Sequence, residues 1–251
     1  MLIPRTFHQI WIGPDPLPDE YLAYQDTWRR RHPDWELRLW TDANLPDGLR
    51  RPESYERLRS PVERADILRL EVVCRFGGVH VDADFECLRS IEPLIGDADF
   101  FIGRAKPGRV NNALFGAVAG HPILAHALDE IRPRKVYGLD KEATGPKFLD
   151  RILAAHEDEV RFLEPELFYA TTPEARRDAY AVHHEARSWK DVELVRIDMR
   201  RAEQKMETAL QKAARWRTRC KTAEAELDRL KRTWPYRLSR LGGLLLRRGS
   251  A

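Results

Sequence analysis

Between Ser60 and Asp84 the chain passes from a helix start through an apolar helix, two glycines and a short strand to a pair of acids. Ser60 is placed to cap, Pro61 suits the first helical position and Glu63 would complete a capping box. The helix then runs to about Phe76, where Gly77 stops it. Gly77 and Gly78 let the backbone turn tightly into a strand over Val79–Asp82. Asp82 and Asp84 are two residues apart. In a strand such positions share a face, so at its end both carboxylates can converge on one hard divalent cation that keeps sites open for a diphosphate.

The same alternation of strand and helix continues on both sides. Thr6–Gly13 reads as a buried strand, Asp19–Arg31 as a helix, and Trp35–Trp40 as a half-buried strand of period two. Further strands are expected at Ala98–Ile102, Leu114–Val118, Val160–Leu163 and Tyr180–His183, and helices at His121–Ile131 and Pro146–His156. This interleaving predicts an α/β domain over residues 1–191 with a parallel or mixed sheet. From Val192 the pattern changes. Val192, Val195, Met199, Ala202, Met206, Ala209, Ala213, Trp216, Cys220, Ala223, Leu227, Leu230 and Trp234 alternate spacings of three and four, a heptad seam over 192–234 thinned by its alanines. Residues 235–251 read as a basic amphipathic tail interrupted by Gly242-Gly243.

Charge separates the two parts. Residues 201–251 carry 14 basic and 5 acidic side chains, whereas the preceding 200 residues carry 29 and 35. A basic tail on a mildly acidic body suits an anionic surface. The long helix is expected to pair with a second copy, as a homodimer, or to dock within its own chain, and the basic tail to meet the face of an anionic membrane. A solvated amphipathic end is the plainer alternative. Nucleic acid is not expected, because exposed aromatics are not interleaved with the basic residues. No apolar run reaches the length of a membrane span. Three cysteines without metal-ligand spacing, and an N-terminus without an apolar signal core, give the expectation of a cytoplasmic protein, peripheral at most to the inner membrane face.

Asp66 and Arg69 lie three apart on the apolar helix and share its face, among Leu68, Leu70, Val72 and Val73. Such a pair is either a structural ion pair or a polar grip on a ligand. A phosphatase with a nucleophilic Asp is a second reading of Asp82-x-Asp84. It is disfavoured by Glu86, which stands where that chemistry usually has Thr or Val.

Several stretches together resemble the glycosyltransferases with a DXD sugar-binding region, the family that includes fungal initiating α-1,6-mannosyltransferases and bacterial capsular-polysaccharide enzymes. They are Ile3–Gly13, His32-Pro33-Asp34-Trp35-Glu36, Arg64–Arg69, Gly77–Asp84, Thr144-Gly145-Pro146, His183-His184 and Ser188-Trp189. The clostridial glucosylating toxins share the skeleton more distantly. The resemblance implies a GT-A fold, a nucleotide-sugar donor (a UDP-sugar or GDP-mannose) and Mn²⁺ or Mg²⁺. It implies hexose transfer, with retention, to a hydroxyl of a glycan or lipid-linked glycan. It also implies roles. Trp11 would stack on the base, and Asp66 and Arg69 would hold sugar hydroxyls, with Asn112 (and Asn111) facing the sugar. Asp82 would contact ribose or sugar and the metal region, and Asp84 would bind the metal directly. His183 or His184 would sit by the metal or diphosphate, and Ser188 and Trp189 would close over the diphosphate. His80 or Arg104 would orient the carboxylates. The family often has Ser where this chain has Ala65, so any hydroxyl contact there is missing. The rival from another class is a non-catalytic coiled-coil assembly protein built on a degenerate transferase fold.

Overall fold

The computed structural model describes residues 2–58, 60–131, 144–170, 172–185 and 192–246, with the side chains of the last segment described for 204–232. The elements, in chain order, are β1 (Thr6–Ile10), α1 (Asp19–Arg31), β2 (Glu36–Trp40), α2 (Pro52–Arg57), α3 (Pro61–Phe76), β3 (Gly78–Val81), β4 (Phe85–Cys87), α4 (Glu92–Ile95), β5 (Phe100–Lys106), β6 (Arg109–Ala117), α5 (Pro122–Glu130), α6 (Pro146–Leu153), β7 (Arg161–Leu163), α7 (Pro173–Asp178), β8 (Ala181–His183) and α8 (Val192–Leu246). The expected α1 and α3 are present. The first strand ends at Ile10, short of Gly13. β6 starts at Arg109, earlier than its apolar residues suggested, and so takes in Asn111 and Asn112.

Six strands form one sheet in the order β2-β1-β3-β6-β5-β7, and β4 pairs with β8 in a separate ladder. The sheet is mixed. β2, β1 and β3 are parallel, β6 runs antiparallel to both β3 and β5, and β7 lies parallel to β5. β3 is therefore a central strand. Period-two alternation divides the core between the two faces. Phe100, Ile102 and Phe115 pack with Ile67, Leu68 and Leu70 of α3, while Val79, Val81, Phe101 and Leu114 pack with Trp28 of α1.

The glycines before β3 are demanded by space as well as by turning. Gly78 has φ +101, and a Cβ there would sit 2.5 Å from the Thr6 carbonyl oxygen. Gly77 has φ +65, and its Cβ would meet the Ala119 nitrogen at 2.8 Å. The turn is pinned from below by His8, which is wholly buried. Trp40 Nε1–H donates to His8 Nδ1 at 3.1 Å, so the ring proton lies on Nε2, which donates to the Gly77 carbonyl at 2.8 Å. Burial lowers the His8 pKa to about 4.

Ser60 corrects the expected capping box. Its backbone is extended as an N-cap should be, and its carbonyl accepts the first helical bond from Arg64 N–H, but its side chain makes no capping bond. The hydroxyl is buried and has no partner among the described residues. Helix propagation here rests on Pro61 and on burial of α3, of which ten residues are buried.

The chain divides into two compact units, Met1–Trp189 and Lys190–Ala251. The second contains α8, a continuous helix of 55 residues. Every side chain described in it is exposed, including Met206, Trp216, Leu227 and Leu230 of the heptad seam. No described helix is long and apolar enough to cross a membrane.

Candidate active site

The two acids do not sit on the strand itself. β3 ends at Val81, and Asp82-Ala83-Asp84 forms the turn into β4, closed by Phe85 N–H donating to the Asp82 carbonyl at 3.2 Å. Period-two logic applies one step earlier, to His80 and Asp82. These share a face, and His80 Nε2 lies 3.0 Å from Asp82 Oδ1. Asp82 N–H donates to the Ala113 carbonyl at 2.8 Å, which ties the turn to β6.

The third member arrives from far along the chain. β8 pairs antiparallel with β4, and the register places His183 opposite Phe85, the residue after Asp84. The two rings stack with centroids 4.3 Å apart. His183 Nε2 is 3.3 Å from Asp84 Oδ1. One ligand atom each from Asp82, Asp84 and His183 falls within a mutual 4.8 Å. Two carboxylates and an imidazole form a donor set that suits Mn²⁺ or Mg²⁺, and all three are partly or largely screened from water, so the residues fit the expected ion.

Beside this set lies a buried polar network carried by α3. Arg69 Nη2 is 3.4 Å from Asp66 Oδ1, and Arg69 Nη1 is 3.2 Å from Asp82 Oδ1. Arg69 Nη1 also donates to the Asn112 carbonyl at 2.8 Å, while Asn112 Nδ2 donates to Asp66 Oδ1 at 2.8 Å and Thr144 Oγ1 to Asp66 Oδ2 at 3.3 Å. Arg69 thus bridges the helix acid to the turn acid. Burial raises the Asp66 pKa, and Arg69 and Asn112 offset part of that rise. Burial also works against ionised Asp82, but Arg69 and the His80 hydrogen bond outweigh it and hold Asp82 at about 2. For His183, burial lowers the pKa; the Asp84 contact and the charges of Asp82 and Asp84 prevail and raise it.

The other expected residues are dispersed. Trp11 follows β1, half-buried, with its ring edge-on to Tyr21 and Nε1–H donating to the Asp15 carbonyl. His184 corrects the expectation that either histidine would serve. Its backbone N–H donates to the Asp84 carbonyl, but its ring stacks on Tyr24 at 4.6 Å and Nε2 lies 3.2 Å from Glu86. Adjacent residues on an extended strand face opposite ways, so only one of the two can meet Asp84. Arg104 is likewise corrected: it pairs with Glu164 at 3.0 Å and lies over the Phe162 ring, leaving His80 to orient Asp82. Ser188 and Trp189 lie outside the described residues. Asn111 does not stand free toward a sugar; its side-chain amide contacts the Tyr169 hydroxyl. Sequence reasoning missed Tyr169, which follows the 3₁₀ turn Pro165–Leu167 without any motif, and whose hydroxyl is 3.3 Å from His183 Nδ1.

Residues 18–101 match the model of the glycosyltransferase sugar-binding region containing the DXD motif. Over that stretch the chain is similar to this family. Inositol phosphoceramide mannosyltransferase 3 of Schizosaccharomyces pombe is 26% identical over 208 residues, covering 75% of this chain and 56% of its own length. Mannosyl phosphorylinositol ceramide synthase SUR1 of Saccharomyces cerevisiae is 29% identical over 161 residues, covering 60% of this chain and 42% of its own. The chain therefore spans about half the length of these relatives. Among solved structures, the PaToxG glycosyltransferase is similar with a TM-score of 0.51 at 18% identity, covering 61% of this chain and 68% of that one. The fold is GT-A, as the sequence led us to expect.

Proposed function

We propose that this protein is a metal-dependent glycosyltransferase that moves a hexose from a nucleotide sugar to a hydroxyl of a glycan or lipid-linked glycan, with retention at the anomeric carbon. The observation that carries the reading is the convergence of Asp82, Asp84 and His183 directly beside the Asp66–Arg69–Asn112 network. The names of the two yeast relatives favour mannose, and hence GDP-mannose among the donors.

When bound, a divalent ion supplies Lewis-acid neutralisation of the departing diphosphate. Asp82, Asp84 and His183 would hold it, Mn²⁺ or Mg²⁺, and the remaining residues act on the sugar and nucleotide. Asp66 has about four acceptor positions, and three are taken by Arg69, Asn112 and Thr144 among the described residues, so it retains capacity for one sugar hydroxyl. Arg69 favours the ionised forms of Asp66 and Asp82 and fixes their spacing, so two carboxylates are already ordered around a charged donor. Trp11 offers a ring for the base. His184 is bonded through its backbone N–H to the Asp84 carbonyl, next to the set, and the family resemblance assigns Ser188 and Trp189 to closure over the diphosphate. Retention is compatible with a front-face path in which the leaving phosphate takes the acceptor proton.

The test is donor hydrolysis with Mn²⁺. The unsubstituted chain is expected to release sugar, and Asp84→Asn to lose that activity. Equal release from both would overturn the metal role, and no release from either would favour the assembly-protein reading. Two further proposals concern the second unit. Exposed Met206, Trp216, Leu227 and Leu230 on one heptad seam support pairing of two copies, which a monomer in sedimentation equilibrium would refute. The basic residues within 236–251 support contact with an anionic, cytoplasmic membrane face near a lipid-linked acceptor. Equal liposome flotation with and without that segment would discard it.

A further inference from the structure

The imidazole of His183 is engaged at both nitrogens. Nε2 lies 3.3 Å from Asp84 Oδ1, and Nδ1 lies 3.3 Å from the Tyr169 hydroxyl. That hydroxyl also contacts the side chain of Asn111. The orientation of the Asn111 amide is settled by its other end, where Oδ1 accepts the Ala113 N–H at 3.1 Å. Its NH₂ group therefore faces the phenol and donates to it. The ring itself has little freedom to turn, because it is stacked on its cross-strand partner Phe85 and its side chain is 9% exposed.

A neutral imidazole carries one proton, and the nitrogen that faces a cation must be the bare one. Histidines that ligate metals almost always give their other N–H to an oxygen that fixes the tautomer and ring angle. Here Nε2 points at the carboxylate pair, so the oxygen available to Nδ1 is the phenol.

We propose that Tyr169, held in place by Asn111, is the positioning residue for His183: its phenol oxygen accepts the Nδ1 proton and leaves the Nε2 lone pair facing Asp82 and Asp84. This rests on the metal reading above. A hydroxyl suits the task better than a third carboxylate would. It adds no negative charge next to Asp82 and Asp84. It is also reversible, since without a cation the O–H can rotate to donate to Nδ1 while Nε2–H donates to Asp84. The contact between Nδ1 and the phenol is then a hydrogen bond in both states as the ion comes and goes.

The test uses the full chain and Mn²⁺ alone, titrated calorimetrically against the unsubstituted protein, Asp84→Asn, Tyr169→Phe, His183→Ala and the Tyr169→Phe/His183→Ala double variant. Tyr169→Phe is expected to weaken Mn²⁺ binding by roughly 10- to 100-fold. In the His183→Ala background the same change is expected to add nothing, because the phenol acts only through the imidazole. Loss of binding in Asp84→Asn with unchanged binding in Tyr169→Phe would overturn the positioning role and leave the metal reading standing. So would an additive loss in the double variant. Unchanged binding in Asp84→Asn would remove the metal reading and this inference with it. A measurement that needs no substitution guards against a variant that fails to fold. The ¹⁵N imidazole spectrum of the Mg²⁺-loaded chain is expected to show His183 as the Nδ1–H tautomer, and an Nε2–H tautomer would overturn the proposal.

Discussion

Two acidic residues in this protein do different work because they are mounted differently. Asp66 rides on α3, a helix buried over most of its length, and its carboxylate is tied to Arg69, Asn112 and Thr144. Asp84 rides on a three-residue turn and faces an imidazole delivered by a separate two-stranded ladder. The first arrangement is a rigid scaffold whose parts depend on one another for charge balance. The second is a cluster whose members come together from different places, with one ligand atom each within 4.8 Å of the others. Asp82 belongs to both, since Arg69 and His80 hold it from the scaffold side. The difference teaches that loss of a scaffold residue should register mainly as instability, and loss of a turn residue mainly as lost binding and activity.

The largest effect expected is on the scaffold. Arg69→Met leaves Asp66 and Asp82 without their shared cation and should destabilise the fold by about 3–5 kcal/mol in urea unfolding at neutral pH. A loss under about 1 kcal/mol would break the comparison. Acid probes the floor beneath the turn next. His8 titrates near 6.5 when unfolded and at about 4 when folded, so the unfolded chain binds the extra proton between those values. Its contribution is fully present above pH 6.5 and is lost as pH falls toward 4, amounting to about 3 kcal/mol at most. Burial lowers His80, His32 and His121 as well, whereas His183 is raised and works the other way. Asp82 stays ionised down to about 2, so loss in this window belongs to the imidazoles that burial keeps neutral. Stability that stays flat from pH 7 to 4.5 would count against the buried neutral His8.

On the turn, Asp84→Asn should lower Mn²⁺-dependent donor turnover by about 100-fold or more while changing unfolding free energy by about 1 kcal/mol or less. The reverse pattern would make Asp84 part of the scaffold. A smaller effect is expected at Asn112→Ala, which removes one bond from buried Asp66 and should cost about 1–3 kcal/mol, measured as a shifted urea midpoint with unchanged slope. The smallest is at Ser60→Ala. With no capping bond to lose, it should change stability by about 0.5 kcal/mol or less, against about 1 kcal/mol for a working N-cap.

The scaffold is the more legible half in the sequence. Asp66 and Arg69 lie on a helix with a clear start and a Gly stop, so their spacing alone puts them on one face, and Gly77-Gly78 marks the entry to β3. Asn112 and His183 are reached only through the family resemblance, because nothing local in a strand says which distant residue it will meet. Tyr169 and the Glu86–His184 contact have no sequence signal at all. Both depend on the β4–β8 ladder, whose three-residue strands are too short to show a period. The short helices α2, α4 and α7 escape for the same reason. The capping box fails differently: its letters are in order, but the Ser60 hydroxyl is buried and makes no bond to the helix amides.

The β4–β8 ladder has a consequence for how the molecule is assembled and dissected. The stretch matching the family model ends at residue 101, so a fragment cut to that boundary would carry both aspartates but neither the histidine nor the asparagine that complete their surroundings. During synthesis, too, a ribosome-bound chain that has emerged only as far as Tyr180 possesses two of the three residues proposed to hold an ion. On that proposal, affinity for the cation would be a late signal, completed by the last strand in the sequence.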